Sequence, residues 1–154
     1  IVGSGSRGDW LADEVKRRGL GNVQLAGRFP PQAMPGILAQ ASALLVTLAR
    51  DPILAQTVPS KVQAYLAAAR PIVAALDGEG ARVVEDARAG VACPAEDAAA
   101  LAAAVRRLRS LPAEEQQRMA RQGRAYYERH FDPAVLAARL RQLLEDVVNR
   151  GDDD

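Results

Sequence analysis

The stretch PSKVQAYLAAARPIVAA, residues 59–75, decides the fold because it joins a helix pattern to a strand pattern through one short connection. Pro59 and Ser60 are typical of a helix start, and the Ala-rich residues after them predict a helix through Ala69. The apolar run 71–75 is typical of a strand buried within a sheet. A helix followed at once by a buried strand indicates an α/β protein.

The same alternation continues on both sides of this stretch. The remaining sequence predicts strands at 1–2, 23–26, 43–48 and 90–93, and helices at 9–18, 31–41 and from the 77–80 turn to residue 87. Because the 43–48 run is apolar without interruption, we expect it to be covered on both faces. This order predicts a Rossmann-like parallel sheet with flanking crossover helices.

The end of the chain changes to helix only. After Pro94, the pattern predicts a helix capped by Asp97, a second helix at 113–129 and a third that begins at Asp132-Pro133. The third has an apolar face formed by Leu136, Leu140, Leu143 and Val147. We expect one domain over residues 1–150, followed by a disordered acidic tail at 151–154.

Composition narrows the possible functions. Lys and Arg number 20 against 19 Asp and Glu, a net charge of +1, so no overall attraction to nucleic acid is expected. A single cysteine, Cys93, excludes an internal disulfide and a Cys-rich metal site. We expect a cytoplasmic protein without a bound metal or cofactor. The chain opens on Ile1 rather than Met, and we expect it to be truncated at its N-terminus.

Glycine-containing turns follow several of the predicted strands. Parallel sheets bind ligands beyond the carboxyl ends of their strands, and glycine lets a backbone approach a ligand closely. The turns that qualify are Gly3-Ser4-Gly5, Gly27-Arg28-Phe29 and Gly78-Glu79-Gly80. Any one of them taken alone is more often an ordinary strand-to-helix connection.

Ser60 and Lys61 are the most specific local sign of a ligand site in the sequence. A helix N-terminus carries roughly half a positive charge and unpaired N–H groups. Ser60 adds a hydroxyl and Lys61 a full charge, a combination suited to a phosphate or diphosphate. A plain helix start with a solvated lysine is the alternative.

Residues 58–74, followed by Gly78-Glu79, resemble the donor-site stretch of family 4 retaining glycosyltransferases. The resemblance is closest to bacterial polysaccharide enzymes that transfer N-acetylated deoxy-sugars. It covers nearly the whole chain and implies the C-terminal, donor-binding half of a GT-B architecture. It implies that Gly27, Arg28 and Phe29 border the nucleobase and that Ser60 and Lys61 face the donor diphosphate. Gly78, Glu79 and Gly80 would then lie near the sugar.

Two departures from the family pattern stand out. Many members have two glutamates separated by seven residues, and these positions fall on Gln56 and Ala64 here. The resemblance implies that the second glutamate contacts the donor ribose. Gln56 can still bond a hydroxyl whereas Ala64 cannot, and Glu79 is a candidate substitute. The family's first strand-helix unit, with a basic pair, and its N-terminal acceptor domain are expected to be missing. We therefore expect this chain to be inactive alone.

The sequence supports two hypotheses about function. The first is the donor-binding domain of an enzyme that transfers a sugar from a UDP-type donor, without a metal, to a lipid-linked glycan acceptor at the inner membrane face. The second is a non-catalytic Rossmann-like domain that binds a partner protein. A nucleotide-sugar 2-epimerase is less well supported, because the chain lacks the histidine and carboxylate density such an enzyme needs.

Overall fold

The computed structural model describes residues 1–151, with side chains described over 1–148. It divides into two compact units, Ile1–Ile37 and the part from Leu38 onward. The helices are α1 (Gly8–Arg17), α2 (Met34–Ala39), α3 (Pro52–Ala55), α4 (Ser60–Ala67), α5 (Glu79–Asp86), α6 (Ala98–Ser110), α7 (Ala113–His130) and α8 (Pro133–Gly151). A 3₁₀ turn, Pro31–Ala33, precedes α2, and the strands are β1 (Leu44–Thr47), β2 (Ile72–Ala75) and β3 (Gly90–Cys93).

The first unit consists of α1 and two extended segments. The Ala26 N–H donates to the Ile1 carbonyl at 2.9 Å, and the Gly3 N–H donates to the Gly27 carbonyl at 2.7 Å. Neither segment forms a regular strand, so the predicted strands at 1–2 and 23–26 are wrong. The physical reason is that two short, mostly exposed segments without a third neighbour form only a marginal sheet.

The second unit contains a three-stranded parallel sheet in the order β1-β2-β3. Leu45, Val73 and Val91 lie opposite one another in register and therefore share one face. Helices cover both faces, which confirms the predicted α/β class. The central strand β2 is buried along its whole length.

Two clusters of apolar side chains hold these layers together. On one face, Val62 and Leu66 of α4 pack with Val46, Ile72 and Val84. On the other face, Ala104 and Leu108 of α6 pack against Val73. Gly123 of α7 is buried, and a Cβ there would lie 3.2 Å from Leu66 and 3.0 Å from Ala89. Its missing side chain therefore lets α7 approach α4 closely.

The structure corrects the predicted burial of β1 and shows how accessible the apolar face of α8 is. In β1, alternate residues are exposed, so coverage on both faces is wrong. The reason is that β1 is an edge strand and α6 lies over β2 and β3. In α8, the predicted apolar face is largely exposed: Leu136, Leu140, Leu143 and Val147 are 45–68% accessible. The predicted tail begins at Gly151, which instead ends α8, and its last three residues lie outside the described part of the chain.

Local sequence explains where several helices begin and end. The Asp97 carboxylate accepts from the Ala100 N–H at 2.8 Å, which confirms the predicted cap of α6. Asp51 caps α3 by accepting from the Ile53 and Leu54 N–H groups. α4 ends at Ala67, two residues earlier than predicted, because Ala69 adopts a left-handed φ of 51°.

Candidate functional site

The carboxyl ends of β1, β2 and β3 lie at the same end of the sheet because the three strands are parallel. The segments that follow the strands at this end are 48–59, 76–78 and 94–97. The first leads into α4, the second into α5 and the third into α6. Ligands of open parallel sheets bind beyond the carboxyl ends of the strands, so these three connections define the candidate site.

The N-terminus of α4 is open to solvent. Its cap residue, Pro59, has no N–H and no side chain that bonds the helix, and Ser60 and Lys61 are both exposed. Among the described residues, neither of these two side chains has a hydrogen-bond or ion-pair partner. The helix dipole, a free hydroxyl and an unpaired ammonium group therefore converge on one exposed end.

Two glycines pack the start of α5 against this region. A Cβ at Gly80 would lie 2.9 Å from the Pro59 ring and from a methyl group of Leu76. A Cβ at Gly78 would lie 1.9 Å from the Ala55 carbonyl oxygen, and Gly78 has a φ of +73°. These glycines therefore place the first turns of α4 and α5 side by side. Both glycines serve close packing within the chain itself.

Glu79 begins α5 but is already paired. Its carboxylate lies 2.6 Å from the Arg82 guanidinium one turn later on the same helix. Both side chains are well exposed, so the pair contributes little to stability and exchanges easily for another partner. A role for Glu79 toward a ligand remains a prediction.

Arg50 and Asp77 form a polar link that the sequence pattern did not reveal. Arg50 donates to the Ala95 carbonyl at 2.9 Å, and Asp77 accepts from the Ala95 N–H at 3.1 Å. Arg50 and Asp77 also approach within 3.6 Å of each other. Because these residues follow β1, β2 and β3 respectively, the link ties together the three connections at the site. Their separation along the chain left no local motif to find.

Cys93 ends β3 close to the site but is not an activated thiol. Burial and the negative charge of Asp97 both raise its pKa, with burial the larger cause. A raised pKa keeps the thiol neutral, which disfavours nucleophilic attack and metal binding. Among residues 1–148, no three His, Cys, Asp or Glu side chains gather as a metal site.

The family model for group 1 glycosyl transferases matches residues 1–110, more than two thirds of the 154 residues. The matched residues include the carboxyl ends of β1, β2 and β3, the starts of α4 and α5, and the first unit.

The chain belongs to the group 1 glycosyl transferases.

A solved structure shares the fold of this group 1 glycosyl transferase chain. HepE from Anabaena, crystallised in complex with UDP, superposes with a TM-score of 0.80 at 18% sequence identity. The match covers 94% of this chain and 40% of the HepE chain. The chain thus spans well under half the length of that structure and has the fold of a GT-B half-domain. No curated protein sequence matches it.

Gln56 and Ala64, where the sequence departs from the expected glutamate pair, are both exposed. Gln56 follows the Ala55 carbonyl that packs on Gly78, which places it beside the α5 start. Ala64 is exposed one helical turn after Ser60 on α4. A side chain at position 64 would therefore extend from the same side of α4 as Ser60. The structure brings Gln56, Ser60, Lys61 and Gly78–Gly80 into one region.

The other predicted donor-binding residues belong to the first unit. Gly3 and Gly27 both have positive φ and share a hydrogen bond, and Gly5 accepts from the Gly8 N–H in the turn before α1. Arg28 and Phe29 follow Gly27 and are exposed. Their role toward a nucleobase remains a prediction. No described helix is long and apolar enough to cross a membrane.

Proposed function

We propose that this chain is the donor-binding domain of a glycosyltransferase that uses a UDP-type nucleotide sugar. The observation that carries the proposal is the exposed N-terminus of α4, where Ser60 and Lys61 have no partner among the described residues. This N-terminus lies at the carboxyl ends of the strands, where Rossmann-like sheets bind their ligands. Membership of the group 1 glycosyl transferases supports the reaction class, and the UDP complex of the similarly folded HepE supports the nucleotide.

The proposed chemistry is stabilisation of a departing diphosphate. Cleavage of the sugar–phosphate bond places negative charge on the leaving group as the transition state forms. The α4 dipole, the Ser60 hydroxyl and the Lys61 ammonium group supply positive potential where that charge develops. Lys61 would act as a point charge on the phosphates. Protein groups supply this charge, so the proposal needs no metal ion.

The remaining donor contacts follow the family arrangement. Gly27, Arg28 and Phe29 would border the base, and Gly3 and Gly5 would turn the backbone toward the nucleotide. Gly78, Glu79 and Gly80 would lie near an N-acetylated deoxy-sugar. Gln56 would bond a hydroxyl of the donor.

The complete enzyme would extend beyond this chain. An acceptor domain would supply the other wall of the cleft and hold a lipid-linked glycan at the inner face of the membrane during polysaccharide synthesis. This chain alone would bind the donor weakly and transfer nothing. The proposal is supported by the family resemblance and by the match to HepE, which covers only 40% of the HepE chain.

The proposal is tested by calorimetric titration with UDP. Lys61→Ala removes the proposed phosphate charge, and Lys16→Ala is the matched control because Lys16 is an exposed lysine at the end of α1. A charged hydrogen bond contributes about 1.5–3 kcal/mol, so Lys61→Ala should weaken UDP binding roughly tenfold or more. Equal effects of the two substitutions would contradict the assignment.

A non-catalytic interaction domain is the second candidate. The observation that favours it is the exposed apolar face of α8. Such a domain would show no nucleotide preference, so absence of UDP binding at millimolar concentration, by a folded full-length protein, would favour it.

A further inference from the structure

The segment that leads into α4 has no buried side chain of its own. None of the described residues 48–59 is buried, although β1 before them and α4 after them both contribute to the core. A segment without buried apolar side chains is held by the few polar and packing contacts that it makes. The position of the α4 N-terminus therefore depends on those contacts.

Two contacts hold this segment against the connection that follows β2. Near its beginning, the Arg50 guanidinium lies 3.6 Å from the Asp77 carboxylate. Further along, the Ala55 carbonyl packs against Gly78, where a Cβ would lie only 1.9 Å from the carbonyl oxygen. Because Asp77 and Gly78 are consecutive, one short piece of backbone holds the segment at both points. α4 begins shortly after Ala55.

Ala95 is the buried residue to which both charged side chains bond. It is fully buried, whereas its neighbours Pro94 and Glu96 are exposed. Arg50 donates to the Ala95 carbonyl at 2.9 Å, and Asp77 accepts from the Ala95 N–H at 3.1 Å. Side chains from two other connections thus satisfy both polar groups of this buried residue, which a folded protein must pair.

Glu96 shows that the connection after β3 is held against a backbone preference. Its φ of 61° lies in the left-handed region that favours glycine. The bond from Ala95 to Asp77 fixes the backbone on one side of Glu96, and the Asp97 cap of α6 fixes it on the other. A residue with a Cβ persists in this region only where its surroundings hold it. The Arg50–Asp77–Ala95 link is therefore bonded to a well-held piece of backbone.

We propose that Arg50 and Asp77 are positioning residues for the donor site. Their link to Ala95 fixes the segment 48–59 and, through it, the direction in which the α4 N-terminus faces the diphosphate. They act through Ser60 and Lys61 without contacting the donor. This inference rests on the proposed function, since it assumes that a UDP-type donor binds at the start of α4.

The direction of the effect at Asp77 separates positioning from simple electrostatics. Asp77 places a carboxylate at the end of the sheet where the anionic diphosphate is proposed to bind. Coulomb attraction alone predicts that removing this negative charge tightens binding of the anion. Positioning predicts weaker binding, because the Ala95 N–H loses its acceptor and Arg50 loses its partner.

Calorimetric titration with UDP tests the proposal on Asp77→Ala. Asp86→Ala is the matched control, because it also removes one negative charge and Asp86 is an exposed residue at the end of α5. We expect Asp77→Ala to weaken UDP binding by roughly threefold to tenfold, the effect of one lost hydrogen bond, and Asp86→Ala to leave it unchanged. Affinity is measured below the unfolding transition, so that reduced stability alone does not change it. Unchanged or tighter binding by folded Asp77→Ala would overturn the proposal.

Milder variants keep the test valid if Asp77→Ala does not fold. Asp77→Asn retains an oxygen that can accept from the Ala95 N–H but loses the charge that attracts Arg50. Asp77→Asn and Arg50→Ala should each weaken UDP binding by about twofold to threefold. Their combination should weaken it by less than the product of the two effects, because both break one link. Tighter binding by Asp77→Asn, or effects that simply multiply, would contradict the positioning role.

The titrations also separate this inference from the donor-site assignment. If Lys61→Ala weakens UDP binding and the Asp77 variants do not, the donor site stands and the positioning role is wrong. If the unsubstituted protein does not bind UDP at millimolar concentration, the proposed function is wrong and the positioning role with it.

Discussion

Gly78 shows how one residue sets the geometry of the candidate site. Its φ of +73° is strained for any residue with a Cβ, and a Cβ would overlap the Ala55 carbonyl. We expect Gly78→Ala to lower the free energy of unfolding by about 3 kcal/mol or more. Gly21→Ala is the control, because Gly21 has open space around it and an ordinary φ. Urea denaturation of both variants measures this difference, and equal stabilities would contradict the packing role.

Ala64 offers a gain-of-function test at the same scale. Ala64→Glu introduces a carboxylate on the same side of α4 as Ser60, at the position where the resemblance to family 4 implies one. If it reaches the donor ribose, it should tighten UDP binding several-fold, because a hydrogen bond to a charged group contributes about 1.5–3 kcal/mol. Pyrophosphate lacks a ribose, so its binding should not improve. Weaker binding of both ligands would contradict a ribose position at residue 64.

At the scale of elements, the strand-helix order from β1 to α6 was predictable except for α3, which lies in a segment predicted as a loop. Apolar runs and helix starts such as Pro59-Ser60 and Asp97 are local signals, and the structure confirms them. The apolar pattern of 43–48 did not reveal that β1 lies at an edge. The site was predictable only in part, because the Arg50–Asp77–Ala95 link joins residues distant along the chain. The packing contacts of Gly78 and Gly80 also depend on the folded arrangement.

Burial separates the helices by their contribution to stability. Leu66 of α4 is fully buried, whereas Leu140 of α8 is 58% accessible. We expect Leu66→Ala to reduce the free energy of unfolding by about 2–5 kcal/mol, since it leaves a cavity in the core. Leu140→Ala should change it by less than about 0.5 kcal/mol. Thermal or urea unfolding compares the two variants, and a large loss for Leu140→Ala would indicate that α8 is covered in solution.

At the scale of the whole molecule, the proposed function makes this chain the donor-binding half of a longer enzyme. The match to only 40% of the HepE chain supports this proposal. In this proposal, a nucleotide diphosphate binds at the start of α4.

Selective ¹³C labelling of lysine tests this binding at single-residue level, because the chain contains two lysines, Lys16 and Lys61. Titration with UDP is followed by NMR on the two sets of side-chain signals. We expect a saturable shift of the Lys61 signals while those of Lys16 stay in place. Shifts confined to Lys16, or no shift of Lys61 at saturating UDP, would contradict it.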